Sequence, residues 1–241
     1  MAAYLARESS TAHEADLLPV RRRICELLPA LGTPCTRWRR SRTVRYPGRE
    51  DRLLESPART MDELTAPLAR AIAAEAGGVP VALFGHSMGA LVAYETALRL
   101  QAAGGPQVAA LLVSGYSGPE RRPPRSLADA QDNELMDELV QLGGMDAEAF
   151  THAELRDLVL SAVRSDYRLL ENHVAPVVRP VNAPLTAYYG RQDTALGPDL
   201  VSAWSEATRI SFTNRAFEGG HFYLVEHARD LVADVLGRLG V

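Results

Sequence analysis

The sequence lacks lysine, has only two cysteines and contains no run of 18 apolar residues. The missing apolar run excludes a transmembrane helix, because about 20 such residues are needed to cross a bilayer. Residues 1–19 have no positive patch followed by an apolar stretch, so we expect no secretory signal. Cys25 and Cys35 are too few for a disulfide scaffold, and they suit a reducing cytoplasm as the location of the protein.

The length and composition are those of one globular domain. The chain has 241 residues, of which 46% are hydrophobic and 23% charged, and both values are ordinary for a folded protein. A chain of this size buries roughly 70% of the surface that it exposes when unfolded. We therefore expect a single domain over residues 1–241.

All 26 basic residues are arginine, and they are unevenly distributed along the chain. Residues 1–49 hold ten arginines and four acidic side chains, a net charge of +6, whereas the rest of the chain carries −10. A basic arm of this kind can bind nucleic acid or a membrane. We expect neither partner, because the arm lacks interleaved aromatic residues and the body is acidic. Abundant arginine without lysine instead suggests a GC-rich gene.

Apolar runs typical of strands alternate with helical periods along the chain. Strands are predicted at Thr43–Tyr46, Val81–Phe84, Val108–Val113, Leu185–Tyr189 and Arg209–Thr213. Helices are predicted at Met61–Ala76, Ala90–Ala102, Asn133–Leu142, Ala153–Val174 and Phe222–Leu239. This alternation predicts an α/β fold, with a mostly parallel central sheet flanked by helices. Residues 118–180 show no strand signal, so we expect a helical insertion there.

The residues Gly85–Gly89 read Gly-His-Ser-Met-Gly and lie between a predicted buried strand and a predicted helix. In this context a G-x-S-x-G motif is typical of a serine nucleophile on a sharp strand-to-helix turn, where glycines avoid a collision across the turn. Ser87 is therefore the candidate nucleophile. The backbone N–H of Met88, at the start of the helix, is the candidate donor to the oxyanion of a tetrahedral intermediate.

A serine nucleophile needs a base, and the base needs an acid that orients it. In enzymes with this motif the chain order is serine, acid, histidine. Asp193 follows the predicted strand Leu185–Tyr189, and His221 follows the last predicted strand in a Gly-Gly-His-Phe loop. Either residue alone has an ordinary explanation, as a loop carboxylate or as a histidine at a helix start. Together with Ser87, their order predicts a catalytic triad.

We expect neither a metal nor a cofactor. His221, Glu226 and His227 lack the spacing of a metal site, and no G-x-G-x-x-G or P-loop motif occurs that would hold a nucleotide. His86 is the neighbour of the candidate nucleophile. We expect its side chain to be packed or hydrogen-bonded, close enough to shape the pocket.

Four segments resemble the type II, or editing, thioesterases of polyketide and nonribosomal peptide biosynthesis, which belong to the α/β-hydrolase superfamily. These segments are Arg45–Arg52 (Arg-Tyr-Pro-Gly-Arg-Glu-Asp-Arg), Ala82–Ala90, Tyr189–Asp193 and Gly219–Leu224. The resemblance implies an α/β-hydrolase fold in which residues 118–180 form a helical lid. It also implies that Ser87 is the nucleophile, His221 the base and Asp193 its partner.

The resemblance further implies a reaction and a partner. The enzyme would hydrolyse acyl groups from the phosphopantetheine arm of an acyl- or peptidyl-carrier protein, through an acyl-enzyme on Ser87. Such hydrolysis edits stalled or misprimed synthases, for example in antibiotic biosynthesis. By the same resemblance we expect a monomer.

Residues 1–42 are atypical for the family. Its members carry near their amino terminus a strand and then a Gly-Gly-Ser loop that donates the second oxyanion N–H, whereas Pro19–Leu31 contain no such loop. Losing one donor typically costs about 10²–10³ in kcat, and losing the strand would expose a sheet edge or leave the core unfilled. A one-base shift within Leu18–Gly32 can encode the missing loop. We therefore also consider a local frameshift that is restored before Thr43.

Three interpretations stay open. The first is an editing thioesterase. The second is a carboxylesterase of the same fold, which would show no preference for carrier-bound thioesters over simple esters. The third is a catalytically impaired or inert relative that docks on a carrier domain.

Overall fold

The computed structural model describes residues 2–6, 40–119, 126–143, 150–173 and 177–240, with the backbone alone at residues 2–6, 40 and 50. The described residues do not include Cys25, Cys35 or Pro19–Leu31. The expectation of a missing oxyanion loop therefore falls outside the part of the chain that the structure describes. In the part of the chain that is described, no helix is both long and apolar enough to cross a membrane.

Six strands form one sheet in the order β2-β1-β3-β4-β5-β6. They are β1 (Ala2–Ala6), β2 (Arg40–Thr43), β3 (Val81–His86), β4 (Val108–Ser114), β5 (Leu185–Gly190) and β6 (Phe212–Phe217). Strands β3 to β6 run parallel to one another, whereas β1 pairs antiparallel with both β2 and β3. The mostly parallel sheet predicted from the sequence is confirmed.

The helices connect the strands and flank the sheet. They are α1 (Met61–Ala76), α2 (Met88–Ala102), α3 (Asp132–Gln141), α4 (Ala153–Asn172), α5 (Pro198–Ser202), α6 (Tyr223–Glu226) and α7 (Ala228–Leu239). Helix α1 shows why the bounds fall where they do. The Thr60 hydroxyl accepts a hydrogen bond from the Glu63 N–H at 3.2 Å, and Gly77 ends the helix with a φ of 57°, a conformation that favours glycine.

Alternate residues of a strand face opposite sides of the sheet, and both sides of this sheet are covered. Val81 and Leu83 of β3 belong to one apolar cluster together with Ile72 of α1. Ala82 belongs to a second cluster on the other face, with Leu231 of α7. Full burial of a large apolar side chain such as Ile72 contributes about 1.5–3 kcal/mol, so these two clusters hold the helices against the sheet.

Three predicted elements differ from the observed ones. The strand predicted at Thr43–Tyr46 lies earlier, as β2, and the strand predicted at Arg209–Thr213 lies later, as β6. Strand β6 is at the sheet edge and largely exposed, so it lacks the continuous apolar run of a buried strand. The helix predicted at Phe222–Leu239 is two helices separated at His227, whose φ of −100° and ψ of 24° are not helical.

Strand β1 corrects the expectation of an exposed sheet edge. Its residues pair with β3 from Ala2 opposite Gly85 to Ala6 opposite Val81, and its other side pairs with β2. The position beside β3 is therefore occupied. Because β1 is antiparallel to β3, it ends at Ala6 on the edge of the sheet opposite to Ser87.

The described part of residues 118–180 contains α3 and α4. These helices pack on each other through an apolar cluster that includes Leu135, Leu160 and Tyr167. The Arg164 guanidinium donates to the carbonyl of Ala130 at 2.7 Å and ties α4 to the segment that precedes α3. The helical segment therefore has a small core of its own, apart from the two clusters that flank the sheet.

Candidate active site

Ser87 lies on the sharp turn between β3 and α2. Its φ of 55° makes it the single non-glycine residue with positive φ among the described residues, and its ψ is −129°. Such a conformation costs of order 1–3 kcal/mol. The Ser87 N–H donates to the Ser114 carbonyl at 2.8 Å. A Cβ on Gly85 would lie 1.8 Å from the carbonyl oxygen of Gly89, so the turn requires glycine at residue 85.

Asp193 and His221 follow β5 and β6 on neighbouring loops. The loops meet closely, because a Cβ on Gly190 would lie 2.2 Å from the carbonyl oxygen of Gly220. Nδ1 of His221 lies 2.7 Å from Oδ2 of Asp193, and both residues are buried. The other Asp193 oxygen accepts a hydrogen bond from the Ala195 N–H at 3.0 Å. A carboxylate bound at Nδ1 orients an imidazole and leaves its Nε2 available as a base.

Ser87 and His221 line the same cavity, which has a volume of about 220 Å³. Most of its wall is apolar, and part of it comes from α3 and α4. The apolar lining includes Met88, Leu139, Leu142, Val163, Leu170, Leu196 and Phe222. The structure thus brings the three predicted residues to one edge of the sheet, with Ser87 and His221 at the cavity and Asp193 bonded to the histidine.

Met88 is the first residue of α2 and also lines the cavity. The first N–H groups of an α-helix have no acceptor within the helix, and the helix dipole places partial positive charge at this end. The Met88 N–H therefore lies next to Ser87 at a helix end that favours an oxyanion.

Asp166 is the cavity-lining carboxylate that sequence reasoning did not single out. It forms an ion pair with Arg49, and the Arg49 guanidinium also donates to the Ala162 carbonyl at 3.3 Å. Burial raises the pKa of Asp166, and the Arg49 charge opposes that rise. Arg49 belongs to the segment Arg45–Arg52, which resembles the type II thioesterases, and Asp166 lies in the helical stretch that the same resemblance implies is a lid.

The described residues contain no group of three or more His, Cys, Asp or Glu side chains placed to hold a metal ion. Of the residues that the structure describes, the ionisable ones lining the cavity are Asp166, Tyr116, Tyr167 and His221. Ser87 and His221 line this cavity together and His221 is bonded to Asp193, and these are the residue types that carry out acyl transfer in serine hydrolases.

Comparisons with known proteins point to one family. The chain matches the thioesterase domain family over residues 32–239. It is 34% identical over 197 residues to thioesterase PikA5 of Streptomyces venezuelae, covering 82% of this chain and 70% of that protein. It is 35% identical over 196 residues to thioesterase TesA of Mycobacterium marinum, covering 80% and 77%.

Solved structures give the same result. The type II thioesterase BorB from the borrelidin biosynthetic cluster is similar with a TM-score of 0.74 and 39% sequence identity, covering 82% of this chain and 80% of that one. The predicted α/β-hydrolase fold is thereby confirmed. The predicted hydrolase activity on thioesters is confirmed by the family match. The chain therefore belongs to the thioesterase family, and its relatives include type II thioesterases of polyketide and nonribosomal peptide pathways.

Proposed function

We propose that the protein hydrolyses acyl thioesters on the phosphopantetheine arm of an acyl- or peptidyl-carrier protein and so edits stalled or misprimed synthases. One observation carries the proposal. Ser87, on a strained turn, lines the same apolar cavity as His221, whose Nδ1 is bonded to Asp193. Relatives from synthase pathways support a carrier protein as the partner, and the two cysteines agree with a cytoplasmic location.

In the first half of the reaction, Nε2 of His221 accepts the proton of the Ser87 hydroxyl as its oxygen attacks the thioester carbonyl. Asp193 stabilises the imidazolium that forms. The negative charge on the carbonyl oxygen is stabilised by the Met88 N–H. The C–S bond then breaks, the histidine returns its proton to the leaving sulfur, and an acyl ester of Ser87 remains.

In the second half, water replaces the thiol. His221 accepts a proton from the water as the water oxygen attacks the ester carbonyl. The bond between the acyl carbon and the Ser87 oxygen then breaks, and His221 gives the proton to that oxygen. The free acid leaves and the enzyme is restored. The same residues act in both halves, so the loss of Ser87 or His221 abolishes the whole cycle.

The helices α3 and α4 supply the lid in this proposal. Leu139 of α3 and Val163 and Leu170 of α4 line the cavity that holds the acyl chain. An apolar chamber next to a reactive ester excludes water other than the nucleophile. We propose that residues 118–180 form this lid within a single domain.

Substitution of Ser87 tests the reaction. Ser87→Ala should lower hydrolysis of an acyl-carrier protein by at least about 10⁴-fold, whereas Ser202→Ala, at an exposed serine of α5, should leave it unchanged. Hydrolysis by Ser87→Ala at the wild-type rate would contradict the proposal. A p-nitrophenyl ester serves as the second substrate, because an enzyme that cleaves it with no preference for the carrier-bound thioester is a carboxylesterase.

A further inference from the structure

Three buried side chains form a hydrogen-bonded chain next to His221. Nδ1 of His86 lies 2.9 Å from the Ser114 hydroxyl, and that hydroxyl lies 2.6 Å from the Tyr223 hydroxyl. All three residues are at least 95% buried. They stand at the end of β3, at the end of β4 and at the start of α6, so the chain connects three elements that meet at the site.

The ring of His86 packs against the ring of the base. The two imidazole centroids are 4.9 Å apart at an interplanar angle of 49°. Gly115 leaves room for this contact, since a Cβ there would lie 2.5 Å from Cε1 of His86 and 3.3 Å from Cε1 of His221. His86 is absent from the cavity lining, so it contacts the base and not the substrate.

The imidazole of His86 and the hydroxyl of Tyr223 stay uncharged near neutral pH. Burial, and then the nearby charge of His221, hold the pKa of His86 well below its usual value. Burial also raises the pKa of Tyr223, which keeps its hydroxyl protonated. Within the part of the chain that the structure describes, the charged group bonded to His221 is Asp193, at Nδ1. A cation in place of the neutral His86 would oppose formation of the imidazolium.

We propose that the His86–Ser114–Tyr223 chain positions the base, by fixing the loop that carries His221 relative to the turn that carries Ser87. Tyr223 follows His221 by two residues and His86 precedes Ser87 by one, so one hydrogen-bonded chain connects both catalytic segments. The three side chains are positioning residues, because they act through His221. This inference rests on the proposed triad.

The test compares Tyr223→Phe with Tyr188→Phe. Tyr188 is a matched control, since its buried hydroxyl donates to Asp234 at 2.7 Å and it does not line the cavity. Tyr223→Phe should lower kcat on an acyl-N-acetylcysteamine thioester about five- to tenfold, the cost of one lost hydrogen bond, with KM unchanged. The rate at which a fluorophosphonate labels Ser87 should fall by the same factor. Tyr188→Phe should change neither rate.

The inference is overturned if both variants have the same kcat and labelling rate while Ser87→Ala is inactive. If Ser87→Ala is active, the proposed function is wrong. The positioning role is then wrong as well, because it depends on the proposed triad. Should Tyr223→Phe not fold, Ser114→Ala replaces it, with Thr186→Val as its control because the Thr186 hydroxyl bonds to Thr213 away from the cavity. Ser114→Ala should lower kcat and the rate of Ser87 labelling by the same factor, whereas Thr186→Val should change neither.

Discussion

Ser87 has a backbone conformation that glycine adopts far more readily than serine. The φ of 55° and ψ of −129° place its side chain clear of the sheet, at the cavity. The conformation persists because the surrounding hydrogen bonds and the close approach of Gly85 to Gly89 hold the backbone of the turn in this geometry. The strain is thus a local cost that exposes the nucleophile.

This strain predicts an order of stability between two inactive variants. Ser87→Gly should be more stable to unfolding by urea than Ser87→Ala, by about 1 kcal/mol, because glycine relieves the strain and alanine keeps it. The free energies of unfolding of both variants measure the difference. An alanine variant equal to or more stable than the glycine variant would show that the turn is not strained.

The three candidate catalytic residues could be named from the sequence because each follows a strand in a short motif with glycine. Ser114 could not be named, since it ends an apolar strand and nothing in its neighbourhood differs from an ordinary core position. Its contact with Tyr223 joins residues 109 positions apart, and such a pairing follows from the order of strands in the sheet. His86 was expected to be packed or hydrogen-bonded, and it is both.

Helix α4 determines the size of the acyl chamber in the proposed function. Val163→Phe should lower kcat/KM for long acyl chains by about tenfold or more, because added volume at the chamber wall excludes the end of the chain. Acetyl thioesters should be affected much less. Leu158→Phe on the same helix is the control, since Leu158 is 46% exposed and is absent from the lining. Equal losses for acetyl and long acyl substrates would argue against a chamber at Val163.

The ion pair between Arg49 and Asp166 connects α4 to the segment after β2. Burial raises the pKa of Asp166 and Arg49 opposes the rise, so without Arg49 the charged carboxylate becomes more costly. Arg49→Met should therefore lower the free energy of unfolding by about 1–2 kcal/mol at pH 8, a value reduced for partial exposure. The loss should shrink as the pH falls towards 4, because the raised pKa lets Asp166 take up a proton in the folded state first.

Urea unfolding of Arg49→Met at pH 8 and pH 4.5 measures this change. The double variant Arg49→Met/Asp166→Asn is the control, and it should recover most of the stability at pH 8 because no charge is left unpaired. A loss that is the same at both pH values would show that the carboxylate charge is not its cause.

Elements with strong apolar periods were predicted closely, and elements with exposed residues were not. The predicted helix Met61–Ala76 has the bounds of α1, because a capping threonine and a glycine mark both ends. Strand β6 is displaced from its predicted position because its exposed central residues resemble a loop. The break at His227 could not be predicted, because this position holds neither a proline nor a glycine, the residues that commonly interrupt a helix.

For the whole molecule, the departure of residues 1–42 from the family pattern leads to a test of the frameshift hypothesis. Under that hypothesis, replacing Leu18–Gly32 by a one-base-shifted reading that contains Pro-Tyr-Ala-Gly-Gly-Ser should supply the second oxyanion N–H that the family resemblance implies. The replacement should raise kcat on an acyl-carrier protein by about 10²–10³. A variant that combines the replacement with Ser87→Ala is the control and should stay inactive. An unchanged kcat would indicate that the absence of this loop does not limit the rate of hydrolysis.

The direction of β1 affects how the protein can be joined to other molecules. Ala2 pairs with Gly85, so a tag or fusion partner attached ahead of Ala2 starts at the edge of the sheet that carries Ser87. Helix α7 starts at that edge, after the His221 loop, and ends with Leu239 about 18 Å further along its axis. In the proposed function a carrier protein approaches the Ser87 edge, so a tag that follows α7 should interfere less with hydrolysis than a tag ahead of Ala2.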